Sequence, residues 1–176
     1  MAKSRPPDVI RYYTNGNKKQ EEWYINGACE STDDFPCVVR YYMTGEIKEK
    51  TWGKNGFMHR INFPAHITYH KNGKEENEAW YINGEYCRPS GESDHTVYDQ
   101  NGFISSKHWH KNEFTIGYHV FRHEDGRTIE EENWRKNDEP HRDNEPATLF
   151  YNKNGEMIRQ EWWVNGKFIR ECSHLK

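Results

Sequence analysis

Apolar and aromatic residues recur at alternate positions in a short stretch that repeats along the chain. Ile10 and Tyr12 in the first stretch correspond to Val39 and Tyr41 in the second. The later stretches carry Ile67 and Tyr69, Thr96 and Tyr98, Val120 and Arg122, and Leu149 and Tyr151. Successive residues of a strand point to opposite faces, so each pair lies on one face. Because the intervening positions are more polar, the pattern predicts β-strands whose tyrosine face is buried.

A tryptophan marks the end of a second strand in every repeat. The six are Trp23, Trp52, Trp80, Trp109, Trp134 and Trp162, separated by 29, 28, 29, 25 and 28 residues. Each is followed three residues later by an asparagine, and a glycine precedes it by seven residues, or by eight in the fifth repeat. Self-similarity at a fixed period is typical of repeat architectures. The sequence predicts six units, at residues 7–35, 36–63, 64–92, 93–116, 117–145 and 146–170, between a flexible lead-in (1–6) and a tail (171–176).

Each unit contains two turn signals. The first is an Asn-Gly or Asp-Gly pair in five of the six units, beginning with Asn15-Gly16. The second is an Asn-Gly pair that follows the tryptophan in four units, beginning with Asn26-Gly27. Asn-Gly and Asp-Gly between apolar runs indicate type I′ hairpin turns, since both central residues need positive φ. The predicted fold is therefore all-β, a single-domain, elongated and twisted antiparallel β-meander of six hairpins.

Aromatic residues dominate the expected core. Leu, Ile, Val and Phe together number 27 of 176 residues, whereas the chain carries 7 Trp and 11 Tyr. A buried aromatic side chain removes roughly 150–250 Å² from water. We therefore assign the core to two aromatic columns, the six tryptophans and Tyr12, Tyr41, Tyr69, Tyr98 and Tyr151.

The run Tyr69-x-x-Asn72-Gly73, followed by Trp80-x-x-Asn83-Gly84, resembles the MORN repeat. That family is built from Tyr-x-x-Gly and Trp-x-x-Gly steps on β-hairpins. The glycine usually found two residues before the tryptophan is replaced here, for example by Glu78, and the period is longer than the family's. The chain is most similar to the MORN-variant arrays of large DNA viruses of amoebae, such as the Marseillevirus group, and less similar to bacterial arrays described as antitoxins. The resemblance implies a hairpin scaffold and a viral origin.

Two further features of the repeat are a recurring arginine and an irregular region in the fourth and fifth units. One position of the repeat is an arginine in four units, which favours an aromatic stacker or ion pair over an anion site. These arginines are Arg60, Arg88, Arg142 and Arg170.

The repeat is irregular between Trp109 and Trp134, where the second turn reads Asn112-Glu113 and one residue is inserted in the fifth unit. An inserted residue is typical of a β-bulge, so we expect a bend, altered twist or partner surface near residues 110–140.

Charge and hydropathy restrict the partners. The net charge is −3 and the mean hydropathy −1.24, and no run of residues is apolar enough to span a membrane. Balanced charge does not favour nucleic acid or an anionic membrane, which need a positive field. Without an apolar signal segment the protein is expected to be soluble and intracellular, in the host cytoplasm or the virion if viral. Cys29, Cys37, Cys87 and Cys172 are then expected to be free thiols.

Ten histidines raise the question of metal binding or catalysis. His66, His95 and His119 occupy equivalent positions, and equivalent strands lie about 10 Å apart, too far for one zinc ion. His108 and His110, with His119 or His123, are the alternative; exposed strand histidines are the favoured interpretation. No catalytic motif is present. We therefore predict no enzyme activity, no metal and no cofactor, and keep a metal-dependent enzyme near His108 as an open class.

Protein association remains as the expected function. Tyr24, Tyr81, Phe150 and Trp163 alternate away from the core columns and form a candidate partner surface, unless they cover the second face of the sheet. We predict a non-enzymatic scaffold or protein-interaction module whose partners include a second copy of itself. The alternatives are an antitoxin-like or ligand-binding array and, from the family resemblance, binding to a phospholipid surface.

Overall fold

The computed structural model of the chain describes residues 5–32, 35–111 and 114–173. These residues form twenty β-strands joined by turns, and no helix occurs among them. The paired strands are antiparallel, as in the hairpins formed by the first two strands and by the last two. The predicted all-β class and the antiparallel meander of hairpins are thus confirmed.

The chain divides into two compact units, residues 1–95 and 96–176, where the sequence predicts a single domain. In a repeat array each element contacts mainly its neighbours. A division can therefore fall inside the array without a linker, which is why the sequence carries no signal for it.

The first unit contains twelve strands. They are β1 (Val9–Tyr12), β2 (Lys18–Glu22), β3 (Tyr24–Ile25), β4 (Ala28–Cys29), β5 (Val38–Tyr41), β6 (Ile47–Thr51), β7 (Gly53–Lys54), β8 (Phe57–Met58), β9 (His66–Tyr69), β10 (Glu75–Ala79), β11 (Tyr81–Ile82) and β12 (Glu85–Tyr86). Six of them follow the order β1-β2-β5-β6-β9-β10 in one sheet. The others form three small hairpins, β3–β4, β7–β8 and β11–β12.

The second unit contains longer strands. They are β13 (His95–Tyr98), β14 (Ile104–Lys111), β15 (Phe114–Arg122), β16 (Ile129–Lys136), β17 (Glu139–Pro140), β18 (Thr148–Tyr151), β19 (Met157–Val164) and β20 (Lys167–Ser173), the unit limit falling after the first residue of β13. Their order is β13-β14-β15-β16-β18-β19-β20, and β17 pairs with β16.

The first turn of each large hairpin differs from the predicted type I′ turn. In the hairpin β1–β2, the Gly16 amide donates to the Tyr13 carbonyl at 3.0 Å and the Tyr13 amide donates to the Asn17 carbonyl at 2.8 Å. Of the turn residues only Gly16 has positive φ, 86°. This is a type I turn followed by a left-handed glycine, which forms a G1 bulge. A second irregularity follows further from the turn, where the strand register shifts between Arg11 and Tyr12.

The second turns confirm the type I′ prediction. Asn26 and Gly27, between β3 and β4, have φ of 51° and 79°. The pairs Asn55/Gly56, Asn83/Gly84, Asn137/Asp138 and Asn165/Gly166 also have positive φ at both residues. Each turn therefore closes a tight hairpin directly after the tryptophan position.

The residue inserted in the fifth repeat lies in its first turn. The His123 amide donates to the Thr128 carbonyl at 3.0 Å, enclosing one more residue than in the first hairpin. Asp125 Oδ1 accepts the amides of Arg127 and Thr128 at 2.8 and 2.9 Å and closes the longer loop. A register shift is present here as in the other hairpins. A bulge is therefore present in the fifth unit, but the inserted residue lengthens the turn and does not lie in a strand.

At the junction of the fourth and fifth repeats, the described residues form no separate small hairpin. Here β14 and β15 run on past the tryptophan position, so that Trp109 lies opposite Ile116 in one continuous ladder. The predicted Asn112-Glu113 turn lies outside the described residues. Strand β15 thus serves as the return of one repeat and the first strand of the next, and the predicted bend stays a prediction.

The tryptophans and tyrosines line the core to different extents. Trp52 is buried, and the other five repeat tryptophans are half-buried. Tyr41, Tyr69, Tyr98 and Tyr151 are half-buried as well. Tyr12 is 58% exposed, so its assignment to the core is wrong. Within the described residues β1 has a neighbour on one side only, and Tyr12 adjoins the bulge.

Candidate functional site

Arginine–tryptophan stacks recur after the second turn of the repeats. The Arg60 guanidinium lies 4.0 Å from the Trp52 ring centroid, and its Nη1 donates to the Pro64 carbonyl at 3.3 Å. The matching stacks are Arg88 on Trp80, Arg142 on Trp134 and Arg170 on Trp162. A guanidinium over an indole is stabilised by the ring quadrupole. The expected aromatic-stacking role of this arginine slot is confirmed.

Two glutamates, the first buried and the second half-buried, accept hydrogen bonds from tyrosine hydroxyls. In the first unit Glu21, 7% exposed, accepts from the Tyr41 hydroxyl at 2.5 Å. In the second unit Glu132 accepts from both Tyr118 and Tyr151. Burial raises the pKa of each of these three phenols well above its usual range, and the neighbouring carboxylate raises it further. The glutamates thus hold the tyrosine rings in place.

We expect the protein to lose stability in alkali. A phenol whose pKa is raised in the folded state stabilises that state below the unfolded pKa, and this contribution disappears as pH rises towards the folded value. The free energy of unfolding should therefore fall above about pH 10, the ordinary tyrosine pKa. Phenolate absorbance against pH checks this, with Glu132→Gln as the comparison. In that variant Tyr118 and Tyr151 should titrate closer to pH 10; an unchanged titration curve contradicts the assignment.

Cys29 and Cys37 form a disulfide with a Cα–Cα distance of 5.5 Å. The expectation of four free thiols is wrong for this pair, while Cys87 and Cys172 are free and exposed. Gly53 leaves room for the bridge, because a Cβ at this position would lie 2.7 Å from Cys29 Sγ. The other repeats carry larger residues directly after the tryptophan, so this glycine was a signal in the sequence.

Two of the ten histidines converge on one position. The rings of His108 and His119 are 5.3 Å apart between centroids, and His110 stacks on His108 at 6.3 Å. Burial, followed by the charge of Arg135, lowers the pKa of His119. His123 lies elsewhere, with Nε2 at 3.2 Å from the Tyr151 carbonyl. Among the residues that the structure describes, no group of three or more His, Cys, Asp or Glu side chains is arranged to hold a metal.

The four residues of the predicted partner surface are all half-buried. Tyr24 donates to Glu22, and Tyr81 packs on Tyr86 with ring centroids 4.4 Å apart. Phe150 lies under the guanidinium of Arg159 at 3.9 Å. Trp163 donates its Nε1 to Glu161 at 3.0 Å and packs on Phe168.

The most exposed apolar group of the second unit is on the hairpin β19–β20. All seven residues of β20 are exposed, and Phe168 and Ile169 are 50% and 57% exposed. Val164 adds a side chain that is 39% exposed. Phe168 meets Trp163 edge-on with centroids 5.2 Å apart. Sequence reasoning missed Phe168, although its place across the Asn165-Gly166 turn from Trp163 was readable.

The described part of the chain contains no helix whose length and apolar character would let it span a bilayer.

Comparison with known proteins gives no relative. No family model matches the sequence, and no curated protein or solved structure matches it at a significant level. The resemblance to MORN repeats therefore stays a prediction from the sequence.

Proposed function

We propose that the chain is a non-enzymatic scaffold that binds protein partners, a second copy of itself included, through the hairpin β19–β20. The observation that carries this proposal is the exposure of Phe168 and Ile169 on β20. The two side chains are consecutive on a strand whose seven residues are all exposed. Exposed apolar groups rimmed by polar residues are typical of protein-interaction sites.

The composition of the hairpin supports the same proposal. Trp163 and Phe168 supply aromatic surface, and such residues are enriched in the cores of protein interfaces. Lys167, Arg170 and Glu171 surround them with charge of both signs. Within the described residues β20 pairs only with β19, so the backbone groups on its other side are available to a partner strand.

Removing the apolar side chains of β20 should abolish association. We expect wild-type protein to show a concentration-dependent mass in size-exclusion chromatography with light scattering, and the double variant Phe168→Ser/Ile169→Ser to remain monomeric. Trp163→Ala should weaken association by removing the support of Phe168. Ile61→Ser is the matched control, since Ile61 is exposed to the same 57% but lies in the first unit.

Hydrogen exchange extends this test to partners other than a second copy. Amides of residues 167–173 should be protected by the binding protein, whether that is the chain itself or a protein from its native source. The proposal is wrong if the chain is monomeric at high concentration and no protein from that source protects this segment.

A further inference from the structure

The backbone conformation at Gly117 does not require glycine. It is buried in the middle of β15 and is absent from the residues with positive φ. Glycine inside a strand weakens it and often marks a place where a ligand approaches closely. A Cβ at Gly117 would lie 3.0 Å from His119 Nε2 and 3.5 Å from His108 Nδ1. The missing side chain therefore leaves a space that two imidazole nitrogens face.

We propose that His108 and His119 bind a divalent transition-metal ion of the Zn²⁺, Ni²⁺ or Cu²⁺ class in this space. Imidazole nitrogen is a favoured ligand of these metals. The strand register creates the pair, because His108 lies opposite Gly117 and His119 lies opposite Ser106, two residues away on the same face. The two histidines are thus diagonal neighbours on adjacent strands, and His108 is not part of the widely spaced ladder of His66, His95 and His119.

The ring of His108 has a hydrogen-bond partner beside the proposed site. Its Nε2 lies 3.1 Å from Ser106 Oγ. With the proton on Nε2 and donated to the hydroxyl, the lone pair of Nδ1 faces the space above Gly117. Histidine ligands of metals commonly donate their second N–H in this way, which fixes the tautomer and the ring orientation.

Charge around the site limits its affinity. Arg135 lies opposite Gly117 in the β15–β16 register. Its guanidinium is engaged by Asn133 Oδ1 at 2.9 Å and by the Asp138 carbonyl at 3.3 Å. A nearby positive charge opposes a bound cation but favours a bound anion. Two imidazoles with water in the other coordination positions make this a weaker site than one with three or four protein ligands.

Isothermal titration calorimetry of the chelator-stripped full chain tests the proposal. We expect one Zn²⁺ to bind per chain, Cu²⁺ to bind more tightly and Mg²⁺ not to bind. His108→Ala and His119→Ala should each weaken Zn²⁺ binding by at least about tenfold, and Ser106→Ala by roughly tenfold. Gly117→Ala should weaken it similarly, because the added Cβ occupies the space. Arg135→Gln should tighten it.

His123→Ala is the matched control, since this ring is held by Tyr151 and Glu130, and its Zn²⁺ affinity should equal that of the wild type. Far-UV circular dichroism establishes that each variant is folded; if Gly117→Ala is not, His119→Ala decides. The proposal is overturned if wild-type protein binds no Zn²⁺ or Cu²⁺, or if His119→Ala binds as tightly as the wild type. It is overturned too if Arg135→Gln weakens binding, which would indicate an anion site.

Discussion

Trp52→Ala is expected to destabilise the first unit more than any other single truncation of a repeat tryptophan. Trp52 is 5% exposed and is stacked by Arg60 at 4.0 Å. Removing a buried tryptophan side chain costs about 3–5 kcal/mol of unfolding free energy, through lost burial and a residual cavity. Arg60 also loses the ring on which it lies. Chemical denaturation followed by circular dichroism measures the loss.

Two variants separate burial from other effects at this site. The Trp52 Nε1–H is buried and has no hydrogen-bond partner among the described residues. Trp52→Phe keeps an aromatic ring while removing this unpaired donor, whose burial costs about 1–3 kcal/mol. We therefore expect a loss clearly smaller than that of Trp52→Ala. Trp109→Ala, at a half-buried position, should also cost less; an equal or larger loss contradicts the assignment of Trp52 as the centre of the core.

Removing the Cys29–Cys37 bridge is expected to have the second-largest effect. The bridge closes a loop between residues separated by 8 positions. In the chain-entropy estimate a loop of this length stabilises the folded state by roughly 2–3 kcal/mol. Reduction with a thiol, or the substitution Cys29→Ser, should lower the midpoint of denaturant unfolding accordingly. Cys37 is 0% exposed, so we leave it in place to avoid a change in the core.

Thiol counting provides the control for the bridge. Denatured, unreduced protein should react at two cysteines, Cys87 and Cys172. Cys87→Ser should leave both the stability and its dependence on reductant unchanged, whereas Cys29→Ser should abolish that dependence. Four reactive thiols in freshly purified, unreduced protein would show that the bridge is absent.

The local sequence determines where the hairpins form, because the residues within a turn decide whether the chain can reverse there. Asn26-Gly27 supplies two residues that tolerate positive φ, and this alone selects a type I′ turn. The same dipeptide gave the wrong turn type at Asn15-Gly16. There the loop is longer, and Asn15 Oδ1 accepts the Asn17 amide at 3.1 Å, so one left-handed glycine suffices. The dipeptide specifies that the chain reverses, but the loop length specifies how.

The candidate sites depend on strand pairings that cannot be deduced from the amino-acid composition. Repeat periodicity placed His119 two strands from its equivalents, which excluded one metal ion shared by that ladder, and left His108 and His110 with His119 or His123 as an alternative. The continuous ladder of β14 and β15 instead set His119 diagonally across from His108. Phe168 was overlooked because its exposure depends on strand pairing: among the described residues β20 pairs only with β19.

The sequence by itself determined the all-β class and the hairpins, because these follow from strand alternation, turn residues and a fixed period, and it restricted the arginine slot to an ion pair or an aromatic stacker. Tertiary structure alone decided that Cys29 meets Cys37, that two imidazoles face Gly117 and that β20 is exposed. The physical reason is that a period fixes which residues are equivalent, whereas contacts depend on which strands lie side by side and in what register.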